Sequence, residues 1–327
     1  MAQIETISLT KFFKRQAAVD HFDFSVEEGE IFGLLGHNGS GKTTTLQLLG
    51  TLLKPTGGTA MVHGYDILKD AGKVRRSIGT VFQEPCLDRK LSVIENLEFY
   101  GSISLNQPLS SLKEKISDSL RLAGISELGK ARVSTLSGGL RRRLEIARSL
   151  LSEPPVLLLD EPTLSLDLHS KQNIWEHIRH YRDQGGRTVL LATNDMAEAE
   201  ICDRLAILNE GRIVAIDSLE GFKRQHGGRD ELILHTRMPD EALLILKEKA
   251  GIMGKREKDA LILPAQDAFR VLPGILEALS SQIISMEITR PSISQVYLKL
   301  TGKQLKEQKT ADTRPRLNQD RQEIIRI

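Results

Sequence analysis

The chain has 327 residues, with 45 Lys and Arg against 43 Asp and Glu and a formal net charge of +2. That length suggests one large domain and a smaller one, and 40% hydrophobic with 27% charged residues excludes wholesale disorder. The near-neutral charge argues against a general nucleic-acid binder, and no apolar run approaches the ~20 residues that span a bilayer.

In chain order, the first part alternates short β-rich runs with helical stretches. Ile4–Leu9, Phe22–Val26 and Ile31–Leu35 read as strands, and Lys42–Leu52 reads as a helix. Thr59–His63 and Ile78–Phe82 follow as strands. From about Glu84 to Leu151 the strand signal gives way to helical patterns, broken near Gln107-Pro108 and Gly124, so an inserted helical subdomain is predicted over about 84–151. Val156–Asp160 is a continuous apolar run, as expected of a parallel strand covered on both faces. Thr188–Ala192, Leu205–Asn209 and Arg212–Asp217 complete the set, the last two forming a hairpin around Asn209-Glu210-Gly211. Residues 1–226 thus make one α/β domain. Gly227-Gly228-Arg229 reads as a linker. Beyond it, strands at Glu231–Thr236, Ala260–Pro264 and Ile283–Thr289 mix with helices at Asp240–Ala250, Asp267–Ser281 and Ser292–Leu300. That pattern predicts a small α+β accessory domain over 229–302. The tail 303–327 carries seven basic and four acidic residues and reads as flexible, with Ile324-Ile325 as a short anchor. Cys86 and Cys202 are too few for a disulfide framework and read as packing residues. The N-terminus lacks the basic start and apolar stretch of a signal peptide.

Three segments carry chemistry. Gly36-His37-Asn38-Gly39-Ser40-Gly41-Lys42-Thr43, with Thr44 following, fits the phosphate loop G-x-x-x-x-G-K-[ST] between an apolar strand and a helix. Its glycines let backbone N–H groups curl around the β- and γ-phosphates, the helix N-terminus adds a favourable dipole, Lys42 supplies positive charge and Thr43 a hydroxyl for Mg²⁺. Val156-Leu157-Leu158-Leu159-Asp160-Glu161 ends an apolar strand in two carboxylates. Asp160 can hold Mg²⁺ through water, and Glu161 can polarise an attacking water as general base. Leu136-Ser137-Gly138-Gly139 opens a helix with bare backbone N–H groups, a second anion site. A chain with one phosphate loop has no internal use for it, but a dimer does, because it can face the γ-phosphate held by a partner. Arg141-Arg142-Arg143 reads as a solvated basic helix face.

These residues, with Gln83 and Ser165-Leu166-Asp167, resemble the ATPase subunit of ABC transporters over about residues 3–225. The resemblance implies a P-loop NTPase of ABC ATPase type, with a mixed sheet core, an antiparallel β subdomain and the inserted helical subdomain. It implies a head-to-tail dimer that sandwiches two ATP molecules between one phosphate loop and the partner's Ser137-Gly138-Gly139. It assigns Gln83 to Mg²⁺ contact and to sensing the membrane subunit, and Asp167 to the dimer contact. Phe13 falls where the family stacks an aromatic ring on adenine. Leu140 replaces the usual Gln, and His37 stands where Pro is usual. Asn194, in Ala192-Thr193-Asn194-Asp195, stands where the family has a switch histidine that contacts the γ-phosphate. An amide can hydrogen-bond there but cannot carry charge or shuttle a proton.

Ala18-Val19-Asp20, Glu30-Ile31-Phe32-Gly33-Leu34-Leu35-Gly36, Gln83-Glu84-Pro85 and Glu95-Asn96-Leu97 are similar to the daunorubicin-resistance subfamily, whose partners are separate six-helix permeases of the type-2 exporter class. Pro291–Gly302 is similar to the end of that subfamily's C-terminal extension. The expectation is an ATP- and Mg²⁺-dependent subunit on the cytoplasmic side of a membrane, dimerised with itself or a second ATPase chain and bound to a permease. No nucleic acid is expected. Two rival readings are a soluble ABC ATPase outside transport and a nucleotide-gated regulatory module slowed by Asn194. The lack of an Asn-Lys-x-Asp segment after the phosphate loop argues against a GTPase.

Overall fold

The computed structural model describes residues 2–83, 86–105, 108–164, 166–226, 230–279, 282–289 and 292–302. The predicted linker 227–229 and the tail 303–327 lie outside the described residues, as do Glu84, Pro85 and Ser165.

β1 (Ala2–Phe13) is longer than its apolar signal because it serves several partners. It pairs antiparallel with β2 (Gln16–Phe22) near its end and with β3 (Ser25–Glu27) near its start. The single strand expected over Phe22–Val26 is therefore two strands. At the break, side chains stand in for ladder bonds: Ser8 N donates to Asp23 Oδ1 at 2.5 Å, and Phe24 N to Thr6 Oγ1 at 2.9 Å. Next come β4 (Ile31–Gly36) and α1 (Lys42–Leu49). The helix stops three residues before the expected Leu52, where Gly50 caps it and Thr51 takes φ 59°. β5 (Gly57–Val62), the two-residue β6 (Tyr65–Asp66), α2 (Ala71–Ser77) and β7 (Ile78–Val81) follow. β5 pairs with β1 and β6, giving an antiparallel sheet of order β2-β1-β5-β6 with β3 beside β1.

The helical stretch holds α3 (Val93–Ser104), α4 (Leu109–Leu122) and α5 (Gly138–Leu150). α3 starts at a reciprocal cap: Ser92 Oγ accepts from Glu95 N at 3.2 Å while Ser92 N donates to Glu95 Oε2 at 2.6 Å. Leu97, Leu112, Ile116, Leu120, Val133 and Leu144 form the core of this part.

β8 (Val156–Asp160), α6 (Leu168–Asp183), β9 (Thr188–Thr193), the short α7 (Met196–Ala199), β10 (Arg204–Asn209), β11 (Arg212–Ser218) and α8 (Leu219–His226) return the chain to the main sheet. Its order is β11-β10-β4-β9-β8-β7, parallel except for β11. β4, β8 and β9 are buried at every residue, which explains their unbroken apolar runs. The expected hairpin joins β10 to β11. Glu210 and Gly211 both have positive φ, 50° and 76°, the turn whose twist matches paired strands.

The C-terminal segment adds β12 (Asp230–Thr236), α9 (Pro239–Ala250), β13 (Lys255–Glu257), β14 (Ala260–Ala265), α10 (Ala268–Leu279), β15 (Ile283–Thr289) and α11 (Ile293–Thr301). Its antiparallel sheet runs β13-β14-β12-β15. Leu232, Leu234, Leu261 and Leu263 from the sheet meet Leu246 of α9 and Ile275 and Leu279 of α10 in one core. α11 instead packs against α8 and α7.

The chain divides into two compact units. Of the described residues, one comprises those within 2–83, 153–161 and 182–302; the other comprises those within 86–152 and 162–181. Among the described residues no helix is long and apolar enough to cross a membrane. Neither cysteine is in a disulfide. Cys202 is buried, but Cys86 is exposed, so the packing role expected of it is corrected.

Candidate functional site

The first compact unit holds the phosphate loop at the C-terminal end of β4. Two glycines are there for space. A Cβ on Gly36 would lie 2.4 Å from Ser40 Oγ and 2.9 Å from Leu208 O, and one on Gly41 would lie 2.4 Å from Ala18 O. Gly41 also takes φ 106° and opens α1 with no side-chain cap, so its first-turn N–H groups point from bare backbone. Ser40 Oγ is fully buried and has no hydrogen-bond partner among the described residues.

Lys42 is 5% exposed and folds back over the loop. Its Nζ donates to Gly36 O at 2.7 Å and His37 O at 3.2 Å, and stands 3.9 Å from Glu161 Oε1. Burial pushes the Lys42 ammonium below its ordinary value, while Glu161 and then Asp160 oppose that shift. Both carboxylates therefore act on the one buried cation. Asp160 is 1% exposed at the last position of β8. Glu161, 8% exposed, takes φ 45°, a region costing a non-glycine residue about 1–3 kcal/mol. Glu161 N donates to Ala192 O of β9 at 2.9 Å, which holds the turn in place. Gln83 Nε2 donates to Glu161 Oε2 at 3.4 Å. Thr43 is exposed and Thr44 half-buried on the first turn of α1.

Asn194 leaves the end of β9 and donates through Nδ2 to Asn38 Oδ1 at 3.2 Å. Its turn is fixed by buried neighbours: Asp195 N donates to Thr193 Oγ1 at 2.9 Å, and Thr193 Oγ1 donates in turn to the Glu198 carboxylate. His37 is held by contacts that sequence reasoning missed. Its Nε2 lies 3.1 Å from Asn209 Oδ1, its Nδ1 2.8 Å from Asn38 O, and its N–H donates to Tyr297 Oη at 3.2 Å. Nothing local in the sequence marks Asn209 or Tyr297, which stand 172 and 260 residues away. Phe13, 49% exposed at the end of β1, has Lys11 Nζ 5.4 Å from its ring centroid.

The remaining sequence candidates belong to the other compact unit. Ser137 caps α5, its Oγ accepting from Leu140 N at 3.3 Å, and Gly138 and Gly139 form the bare first turn. Asp167 accepts from Ser170 N at 2.9 Å and Ser170 Oγ at 2.6 Å at the start of α6. Those bonds, the hydroxyl first, hold its carboxyl below the usual range. Arg142, expected to be solvated, is instead a half-buried anchor: it pairs with Glu145 at 2.8 Å and donates to Pro162 O at 2.8 Å. Glu145 is 2% exposed.

A buried cation at a loop of bare backbone N–H groups, with two buried carboxylates at the end of β8, two strands away in the sheet, is an arrangement suited to binding and cleaving a nucleoside triphosphate. The comparisons agree. The family model described as "ABC transporter" matches residues 19–164. The daunorubicin/doxorubicin resistance ATP-binding protein of Streptomyces peucetius is 34% identical over 309 residues, covering 91% of this chain and 92% of that protein. The Nod factor export ATP-binding protein I of Ralstonia nicotianae is 34% identical, covering 91% of this chain and 94% of that protein. Among solved structures, a dimeric ATP-binding cassette in a post-hydrolysis state, bound to ADP and Pi, superposes with a TM-score of 0.60 at 28% identity. It covers 66% of this chain and 98% of that one. The fold is that of an ABC ATPase cassette, and the chain belongs to the ABC transporter family as one of its ATP-binding proteins, akin to those of daunorubicin resistance.

Proposed function

We propose that this chain is the ATP-binding and ATP-hydrolysing subunit of an exporter, driving transport through a separate membrane permease. The observation that carries the reading is the convergence of Lys42, Asp160 and Glu161 at the phosphate loop, with Lys42 Nζ 3.9 Å from Glu161 Oε1. Backbone N–H groups of residues 36–44 cradle the phosphates. Lys42 exchanges its two loop carbonyls for phosphate oxygens, through bonds worth about 1.5–3 kcal/mol each. Glu161 takes the proton of the attacking water as oxygen bonds to the γ-phosphorus and the bond to the β-phosphate oxygen breaks. Gln83, already beside Glu161, orients that carboxylate. Phe13 offers its exposed face to adenine.

Asp160, Thr43 and Gln83 supply a carboxylate, a hydroxyl and an amide oxygen, a hard donor set that fits Mg²⁺ completed by phosphates and water. Bound there, Mg²⁺ neutralises phosphate charge and fixes the phosphate chain.

Ser137, Gly138 and Gly139 serve the nucleotide of a partner ATPase chain, with Asp167 at the contact. The partner is a second copy or a related chain, and the assembly sits on the cytoplasmic face of a membrane against a type-2 exporter permease. Residues 229–302 form the accessory domain and the helical segment 84–151 meets the permease. Neither a soluble ABC ATPase outside transport nor a non-hydrolysing regulatory module is favoured, because relatives spanning nine-tenths of the chain are named for resistance or export. Relatives of equal identity carry different cargo names, so similarity at this level leaves the cargo to the permease. The test is Glu161→Gln. The variant should bind MgATP, accumulate a closed ATP-bound dimer and lose hydrolysis. Hydrolysis at the parent's rate would overturn the assignment of the base.

A further inference from the structure

The Gly36–His37 peptide is gripped at both ends. Its carbonyl, Gly36 O, accepts from Lys42 Nζ at 2.7 Å, and its N–H, on His37, donates to Tyr297 Oη at 3.2 Å. Tyr297 is wholly buried and comes from α11, the last described helix of the chain. That helix is built to hold a fixed position. Ser292 and Gln295 form a reciprocal cap at its start, through bonds of 3.2 and 3.3 Å, and Gly302 takes φ 66° at its end. Ile293, Val296 and Tyr297 are its buried face, packed on α8 and α7, and Lys299 Nζ donates to His226 O at 3.4 Å. α7 follows directly on Asn194. One helix from the chain's end thus touches the phosphate loop and the short helix beyond the switch position.

A buried tyrosine hydroxyl must find a partner somewhere, and simple satisfaction would explain a bond to any convenient group. Here the partner belongs to the loop whose N–H directions decide how phosphates are held. His37 is further steadied by its ring, through Asn209 Oδ1 and Asn38 O, and by its carbonyl, which accepts from Ser40 N at 3.1 Å and Lys42 Nζ at 3.2 Å. When Lys42 turns to phosphate oxygens, the Gly36 carbonyl loses its ammonium, and the Tyr297 hydroxyl still holds the N–H side of that peptide plane.

We infer that Tyr297 is a positioning residue for ATP binding: its hydroxyl sets the Gly36–His37 peptide, so that α11 makes nucleotide affinity depend on the C-terminal segment. The inference rests on the ATP-binding function proposed above. The parent's own affinity tests that function, and the ratio between variant and parent tests Tyr297.

The experiment uses the full-length chain, with MgATP affinity by equilibrium binding, KM and kcat by steady-state hydrolysis, and thermal unfolding alongside. Tyr297→Phe removes the hydroxyl and keeps the ring. Loss of one hydrogen bond to the loop should raise Kd and KM about fivefold, with kcat changed less than about twofold. Val296→Ala, one residue away on the same buried face, should lower the unfolding temperature and leave Kd near that of the parent. His37→Pro removes the N–H donor, so adding Tyr297→Phe to it should cost no further affinity. Unchanged Kd in Tyr297→Phe overturns the inference. So does an equal rise in Kd from Val296→Ala, which would mean that the helix acts through general packing, or an undiminished Tyr297→Phe effect in the His37→Pro background.

Discussion

Replacing Asn194 by His tests how much catalytic power the switch position supplies. In the structure the Asn194 amide makes one neutral hydrogen bond, to Asn38 Oδ1 at 3.2 Å at an exposed site, worth about 0.5–1.5 kcal/mol at most. Losing that bond costs the loop little, because Asn38 sits beside a His37 already held by Tyr297 and Asn209. A protonated imidazole at the same place would offer the transferring phosphoryl group a charged donor, roughly twice as strong as a neutral one. Charge aimed at that group is a large part of catalysis in such sites. A gain of about 1.4–3 kcal/mol corresponds to a rise of roughly 10- to 150-fold in the chemical step. The assay is hydrolysis at saturating MgATP in the permease-bound assembly, parent against Asn194→His, followed across pH 5.5 to 8.5. Turnover should rise at least about tenfold. The variant should also acquire a limb near the ordinary imidazole value of about 6.5, which an amide cannot produce. Equal or lower turnover in a well-folded variant would refute the reasoning and show that the surrounding groups already serve the phosphoryl group fully.

Two further predictions concern buried charge. Glu30 is 8% exposed, and burial raises its carboxyl above the ordinary 4.5, against the Glu27 N–H and Arg204. A raised folded value means that its stability contribution is complete below 4.5 and is lost as pH climbs through that raised value. The unfolding temperature of Glu30→Gln should therefore gain on the parent from pH 4.5 upward, and a difference constant with pH would count against this. In the other compact unit, Glu145→Ala should lower stability by about 3–5 kcal/mol by leaving the Arg142 guanidinium, 11% exposed, without its carboxylate. Replacing both residues by apolar ones, as in Arg142→Met with Glu145→Leu, should recover most of that loss in denaturant titration.

The sequence made the apolar strands and the phosphate loop legible because their signals are local. Ile31–Leu35 and Val156–Asp160 are buried on both faces, so no alternation confuses them, and the loop is specified by glycines with one steric purpose. The pieces that escaped lack such a signal. Phe22-Asp23-Phe24-Ser25-Val26 alternates as one strand would, and only tertiary bonds from Thr6 and Ser8 reveal the break. β13 is Lys255-Arg256-Glu257, exposed throughout, with no apolar period to read. Arg142 looked like one of three solvated arginines; Glu145, one turn on along the same face of α5, and Pro162 O hold it half-buried instead. Tyr297 lies in a stretch legible only as a helix, and nothing local in the sequence marks it. Its bond to His37 N crosses 260 residues, and no periodicity carries information over that distance.

The strand order also fixes when the protein can first work during its own synthesis. β4 leads into the phosphate loop, yet both its neighbours come late: β9 pairs with Ile31–Leu35 through Val189–Thr193, and β10 pairs with Phe32–Gly36 through Arg204–Leu208. A ribosome adding about 5–20 residues per second makes those partners roughly 10–30 s after β4 has left the tunnel. For that interval an entirely apolar strand has both hydrogen-bonding edges open, the state most prone to pairing with the wrong chain. The nascent chain cannot shelter by seizing ATP, because the loop's walls, Leu208 O behind Gly36 and Glu161 held by Ala192 O, do not yet exist. Chaperone occupancy should therefore peak on nascent chains between β4 and β10.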